Sequence, residues 1–391
     1  MTADAVGSYP PLPDHQPHRT GAAALTVRLI RESYAHIQPR AAEATQFFYA
    51  MLFAIAPATR ELFAANMEVQ RSRFWRALVH IVQHVDRPDE LIPFLHQLGR
   101  DHRKFGILAQ HYGAMGTALV AALKHHAGPS WTPQVEKAWR DAYSLIAKTM
   151  QEAAAAEAGP AWWTAQVADH QRLTWDLAVV RVVPDRPVPY RAGQYLSVEV
   201  PQRPRLWRYL SPANAPRPVG SIDFHIRAVA GGSVSRSIVG HTQVGDTWRI
   251  GAPMGVMTVD RASGRDVVMV GGGTGTAPLR AILEDLSQWG DNPQVTLFTG
   301  GRTRSDLHDL DTLTAIAATN PWLTVIPVVE HPRMAGIEHG TLADVVTRFG
   351  AWPDHDVLIC GSPNMIRATV SRMLVAGTPL DRITHDPFTL D

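Results

Sequence analysis

Cysteine is almost missing from the 391 residues, with Cys360 standing alone. A single thiol excludes an intramolecular disulfide, a four-cysteine zinc site and a cysteine-ligated iron–sulfur cluster. A charge excess is missing too. Lys plus Arg number 37 against 36 for Asp plus Glu, a net +1, so there is no electrostatic footprint for nucleic acid. No uninterrupted apolar run reaches the roughly 18 residues of a membrane span, and the N-terminus lacks the apolar core of a signal peptide. A cytoplasmic chain in a reducing compartment is the expectation. What the sequence does have is material for cores. Hydrophobic residues make up 45% and charged residues 19%, and at about 150 residues per domain the length allows two to three domains.

Three textures follow one another. Residues 1–22 are rich in Pro, His, Asp and Gly without apolar periodicity and read as a flexible tail. Over 23–158 the apolar spacing is helical, as in Phe74, Leu78, Ile81, Val82 and Val85, and the run closes at Gly159-Pro160. Over 159–262 the pattern alternates. Leu196, Val198 and Val200 are interleaved with Ser197 and Glu199, and Ile222, Phe224 and Ile226 with Asp223, His225 and Arg227. That predicts half-buried antiparallel strands. Over 263–391 apolar strands at 267–270, 295–298, 323–329 and 357–360 alternate with helical segments, the pattern of a parallel sheet with crossover helices. The expected order is an all-α domain, an antiparallel β-barrel, then an α/β domain.

The all-α segment carries polar residues on its apolar stripes. Gln70 lies one turn before Phe74, His102 continues Leu91, Leu95 and Leu98, Tyr49 stands among Phe48, Leu52 and Phe53, and Tyr112 opens Met115 and Leu119. Buried polar side chains need partners, so several facing one core suggest a polar guest. Each also has a plain reading as a satisfied core residue, and the segment holds seven other histidines.

The order Tyr49, Pro57, Phe63, Gln70, with His102 coming 32 residues after Gln70, resembles the haem pocket of the flavohaemoglobins. The resemblance implies Phe63 and Phe74 against haem b, Tyr49 and Gln70 as hydrogen-bond donors to bound O2, and His102 as the axial iron ligand. Tyr112 would orient that imidazole. Two departures stand out. The family's proximal glutamate, 11 residues beyond the Tyr143 of Trp139-x-x-x-Tyr143, is replaced by Ala154, with Glu152 and Glu157 out of register. The residue before the proximal histidine, a lysine in the family, is Asp101.

The rest of the chain resembles the ferredoxin-reductase-like module of the same family, an FAD-binding barrel followed by a nicotinamide-nucleotide domain. Arg208-Tyr209-Leu210-Ser211 matches its Arg-x-Tyr-Ser flavin motif with Leu210 at the stacking position, and Tyr209 is expected on the opposite face of the strand. Gly232-Ser233-Val234-Ser235 matches a pyrophosphate loop. Gly271-Gly272-Gly273-Thr274-Gly275-Thr276, between a strand and a helix, fits a dinucleotide phosphate. Cys360-Gly361 opens the element beside the nicotinamide, although Cys360 also reads as a small buried hydrophobe. Arg302 and Arg304 suit a 2′-phosphate or plain solvation. Phe388, in Asp386-Pro387-Phe388, matches the aromatic residue that covers the flavin.

Taken together, the resemblance implies electrons passing from NAD(P)H through FAD to haem, and bound O2 reacting with nitric oxide to give nitrate. The small-molecule partners are then O2, nitric oxide and NAD(P)H, in a monomer, with peripheral membrane contact left open. The two departures resemble the divergent actinobacterial second class of the family. They leave open a different electron donor such as D-lactate with little nitric oxide turnover, a haem-based redox or oxygen sensor, or helices that merely cap a reductase.

Overall fold

The computed structural model describes residues 17–386, with side chains from residue 23 onward. Six α-helices come first: α1 (Pro17–Ile37), α2 (Ala41–Ile55), α3 (Glu68–His84), α4 (Pro88–His102), α5 (Ala109–Ala127) and α6 (Pro133–Ala156). The opening helix begins at Pro17, so residues 17–22, expected in the tail, are helical. Proline at the first position of α4 and α6 suits a site whose N–H has no intrahelical partner. Ile30, Phe48, Leu52, Val82, Leu119, Leu123 and Trp139 form the core between the helices. The Trp139 indole N–H donates to Ser33 Oγ at 2.9 Å, which satisfies its polar atom inside that core.

Six strands then form one antiparallel sheet: β1 (Trp162–Arg172), β2 (Leu177–Pro184), β3 (Leu196–Glu199), β4 (Arg208–Leu210), β5 (Ile222–Arg227) and β6 (Thr247–Gly251), with α7 (Ser233–His241) between the last two. Their order is β4-β3-β6-β1-β2-β5. An antiparallel bridge between Pro212 and Phe224 ties the chain just beyond β4 to β5, so the two edges of the sheet meet around a closed core.

The C-terminal sheet is parallel throughout, in the order β10-β9-β8-β7-β11-β12. Its strands are β7 (Val267–Gly272), β8 (Val295–Gly301), β9 (Leu323–Val329), β10 (Glu338–His339), β11 (Asp356–Cys360) and β12 (Ile383–His385). Helices α8 (Thr276–Leu286), α9 (Leu310–Thr319), α10 (Leu342–Phe349) and α11 (Pro363–Ala376) cross between them. The chain runs outward from β7 to β10, then returns to place β11 on the other side of β7. That reversal opens a crevice at the carboxyl ends of β7 and β11, where this class of sheet binds ligands.

By compactness the described chain divides in two rather than three. One unit holds residues up to Gly99 together with Ile107–Ala156; the other holds Arg100–Gly106 together with Glu157 onward. Both sheets therefore lie in one unit, and the short segment carrying His102 belongs with them.

The alternating strands correct one expectation. β3 and β5 are buried on both faces rather than half-buried. On β5, Asp223 is held by Arg181 and Arg217, and His225 shares a 3.1 Å hydrogen bond with His308 and lies 3.5 Å from Arg280 of α8. On β3, Ser197 lies under the segment that follows His102. On β5 the polar face is covered by groups that pair with it, whereas on β3 the buried Ser197 hydroxyl lies under an aliphatic lysine stem with no hydrogen-bond partner among the described residues; alternation reported polarity and not exposure.

Candidate functional site

In the helical unit, α2 delivers Tyr49 and α3 delivers Gln70 to one place. Tyr49 is 4% exposed, and Gln70 Nε2 donates to its hydroxyl at 3.2 Å. Phe63 and Phe74 lie edge-on to the Tyr49 ring at 5.4 and 5.9 Å, and Phe53 lies tilted against it at 6.0 Å. Burial pushes the Tyr49 phenol up, so it stays protonated at any physiological pH. Because the phenol oxygen accepts from Gln70, its own O–H is left to donate among aromatic rings. A buried donor of this kind fits a small acceptor ligand bound inside the helices, as expected of the distal side of a haem pocket.

His102 ends α4, half-buried, with Phe105 edge-on at 6.0 Å. Tyr112 is packed with Leu95, Ala147 and Met150, and its carbonyl accepts a 2.6 Å hydrogen bond from the Tyr143 hydroxyl. The two glutamates near the expected proximal position are engaged elsewhere, Glu152 with Lys148 at 3.8 Å and Glu157 with Arg100 at 3.8 Å.

On the barrel, the flavin motif resolves by strand register. Leu210 lies opposite Leu196 and packs on the barrel core, whereas Tyr209 lies opposite Ser197 on the other face. Leu210 therefore does not occupy a stacking position. The ring that β4 offers is Tyr209, which meets Tyr195 at 5.1 Å. Arg208 donates from Nη1 to the Trp207 carbonyl at 2.9 Å, and Ser211 is half-buried just after the strand.

The second phosphate motif is a turn running into α7. Gly232 caps that helix, Ser235 Oγ donates to the Gly232 carbonyl at 3.4 Å, and Ser233 opens the first turn. The side chain of Val234 is buried in the barrel core, so only its backbone can meet a ligand. A cavity of about 310 Å³ is lined by Arg203, Gly232, Ser233, Arg236, Ser237 and His241. Helix N–H groups and two guanidinium groups around one cavity fit a diphosphate.

At the crevice between β7 and β11, Gly271 and Gly272 end β7, Gly273, Thr274 and Gly275 make a 3₁₀ turn, and Thr276 begins α8. A Cβ on Gly275 would stand 2.6 Å from backbone atoms of Gly361, so the two turns approach too closely for any other residue. Thr276 is buried and shares a 3.3 Å hydrogen bond with Thr299, so its hydroxyl faces the sheet. Cys360 is buried with Sγ 3.3 Å from Met257 Sδ, and burial pushes its thiol well up. It acts as core, and Gly361 is the residue at the crevice. Arg304 is held by the Leu307 carbonyl at 3.3 Å and lies 3.7 Å from Asp311, and Arg302 is exposed. Phe388 lies outside the described residues. Asp386, just before it, is buried, with Oδ2 lacking a hydrogen-bond partner among the described residues, and burial pushes its carboxyl up to about 7.

Sequence reading missed Lys104, which is buried against Asp101, Phe105, Trp207 and Tyr209. Its only signal was a lysine one turn after an aspartate, a spacing that usually marks a solvated helix pair.

Comparison with known proteins assigns the three segments. Residues 46–150 match the Globin family, 164–259 the oxidoreductase FAD-binding domain and 269–371 the oxidoreductase NAD-binding domain. The chain is 26% identical over 386 residues to the flavohemoprotein of Bacillus subtilis, covering 93% of this chain and 96% of that protein. It is 29% identical over 231 residues to the xylene/toluene monooxygenase electron transfer component of Pseudomonas putida, covering 58% of this chain and 65% of that protein. Among solved structures, the flavohemoglobin of Malassezia yamatoensis superposes with a TM-score of 0.77 at 18% identity, over 92% of this chain and 98% of that one. The chain thus joins a globin to FAD- and NAD-binding oxidoreductase domains. Among the described residues no helix is long and apolar enough to cross a membrane.

Proposed function

The chain is a flavohaemoglobin, an NAD(P)H oxidoreductase that passes electrons through FAD to a globin, and from that premise we propose that it turns nitric oxide and O2 into nitrate. The observation that carries this reading is the Tyr49 hydroxyl, buried among Phe53, Phe63 and Phe74 and accepting from Gln70. Haem b would be held by His102, with Phe63 and Phe74 on its apolar side. FAD would lie on the Tyr209 face of the barrel, its diphosphate at Arg208, Gly232, Ser233 and Ser235 and its ring edge near Ser211. NAD(P)H would take the Gly271–Thr276 turn and Gly361. Arg302, exposed on the loop after β8, would meet its adenosine end.

When bound, these groups supply hydride acceptance, one-electron transfer and O2 binding. The chain's own part is placement and exclusion of water. The Tyr49 O–H, which stays protonated, would donate a hydrogen bond into a pocket walled by aromatic rings, where such a bond to a partly anionic ligand is worth more than in water. Gln70 holds the phenol oxygen so that the O–H points away from the amide. The side chain of Leu210 fills the barrel core, leaving Tyr209 as the aromatic surface for the flavin. Tyr143 fixes the backbone of Tyr112 through its hydrogen bond, and Tyr112 would orient the imidazole as the family resemblance implies.

The test is anaerobic reduction of the purified holoprotein with NADH, NADPH and D-lactate in parallel, followed by nitric oxide addition in air with nitrate measured. Expected are reduction of both chromophores by a nicotinamide nucleotide and nitrate formation that His102→Ala abolishes. Reduction by D-lactate alone would overturn the donor assignment. Nitric oxide loss no faster than in His102→Ala protein would overturn the dioxygenase reading.

A further inference from the structure

Asp101 and Lys104 bracket His102 on the short segment that belongs to the reductase unit. The Lys104 side chain is 3% exposed, and its ammonium lies 2.5 Å from Asp101 Oδ1. Three aromatic rings surround that ammonium: Phe105 at 5.0 Å, Tyr209 at 5.2 Å and Trp207 at 5.4 Å. The other Asp101 oxygen stands 3.5 Å from the Tyr209 hydroxyl, which donates toward it. The aliphatic stem of Lys104 crosses β6 at Gly251, where a Cβ would lie 3.4 Å from Lys104 Cδ and overlap Ser197 Oγ. Beside it, Arg103 Nη2 donates to the Gly159 carbonyl at 2.7 Å.

Burying an ion pair is costly, and an apolar side chain of similar volume in such a place is commonly as stable or more so. What the pair adds is a single geometry. A carboxylate and three ring faces surround the ammonium, carried by the segment itself, by β4 and by the residue just before it. The ring that β4 presents, Tyr209, is therefore bound on its edge to the residue preceding His102 and on its face to the residue two after it.

We propose that Lys104 is a positioning residue for electron transfer: locked into the Asp101, Phe105, Trp207 and Tyr209 cage, it holds the His102 segment against the flavin-bearing strand. This rests on the reading that His102 binds haem and that the barrel binds FAD. In the step it serves, one electron leaves the reduced flavin and one ferric iron becomes ferrous. Lys104 and Asp101 keep their charges, and no bond or proton moves at either.

The experiment uses the full-length holoprotein and three variants: K104M, which keeps the stem and loses the charge, K104R, and K104Q. Stopped-flow absorbance under argon separates flavin reduction by the nicotinamide nucleotide from the later reduction of haem. In K104M, flavin reduction and ferricyanide turnover stay within about twofold of wild type, while haem reduction slows by about tenfold or more; K104R restores most of that rate. A second readout needs no haem. In protein prepared without it, hydrogen exchange of the amides over 100–106 speeds up in K104M and not in K104R. K104Q, whose amide can still bond to Asp101, replaces K104M if that variant does not fold, with the same outcomes. Haem reduction in K104M at the wild-type rate, or K104R as slow as K104M, overturns the proposal. A wild-type protein that shows no haem absorbance, or whose flavin the nucleotide does not reduce, overturns instead the reading on which it rests.

Discussion

At the scale of single residues, the helical pocket depends on one oxygen. Tyr49→Phe keeps the ring contacts with Phe63 and Phe74 and deletes the phenol to which Gln70 donates. A hydrogen bond to a partly charged ligand is worth about 1.5–3 kcal/mol, so O2 should leave the reduced variant about tenfold faster or more, measured by stopped-flow ligand exchange, with thermal stability little changed. A second residue makes a prediction of opposite kind. Burial pushes Asp386 up to about 7, so the native state keeps a proton that the unfolded chain releases near pH 4. Between those values the native state binds more protons, and stability falls as pH rises until it levels off above about 7. The loss is a few kcal/mol at most. Urea unfolding at pH 5 and pH 8 should show this loss in wild type and a smaller one in Asp386→Asn, and equal losses would show that the carboxyl is not held neutral. Among residues, those defined by chemistry and order, such as Tyr49 and Gln70, were readable in the sequence. The facing of Leu210 and Tyr209 needed the register of β3 against β4, and the burial of Lys104 needed the partner strand at Gly251, which no local pattern contains.

At the scale of elements, the turn between β7 and α8 was readable because glycine runs, an apolar strand before them and a helical stripe after them agree with one another. Its contact with the β11 turn was not, since that pairing joins residues far apart in sequence. Gly275→Ala tests the contact. The added methyl would meet backbone atoms of Gly361 and Cys360 at 2.6–2.7 Å, and backbone cannot swing aside as a side chain can. The expected result is a KM for the nicotinamide nucleotide raised about tenfold or more, with flavin and haem absorbance retained, because the distortion is confined to the crevice. An unchanged KM would remove that turn from the nucleotide site. The strands teach the complementary lesson. Alternation along β3 and β5 gave their residues and their direction, but their polar faces lie buried beneath Lys104 on one strand and His308 and Arg280 on the other. A period of two specifies which side chains share a face. What covers that face is decided elsewhere in the chain.

At the scale of the whole molecule, three sequence textures become two compact units, divided after Ala156, close to the expected end of the helical domain, and again around the end of α4. Residues 100–106, the last turn of α4 and the 3₁₀ turn after it, group with the reductase unit. Those seven residues fall inside the 46–150 match to the Globin family, and nothing in their composition signals that they pack with the strands that follow. Covering the Ser197 and Gly251 face is a stabilising contribution that a reductase cut from the chain at residue 157 would lack, leaving the outer faces of Trp207 and Tyr209 open to water. Losing the packing of one lysine stem and one aromatic ring is worth about 1–2 kcal/mol, which for a unit of this size lowers the melting temperature by roughly 2–8 °C. Calorimetry should therefore find the isolated 157–391 fragment melting below the reductase transition of the full chain. The difference should shrink in the K104M background, where the full chain has already lost part of the same contact. A fragment that melts at the same temperature as the intact protein would mean that the strap over 100–106 contributes nothing to the fold it lies on.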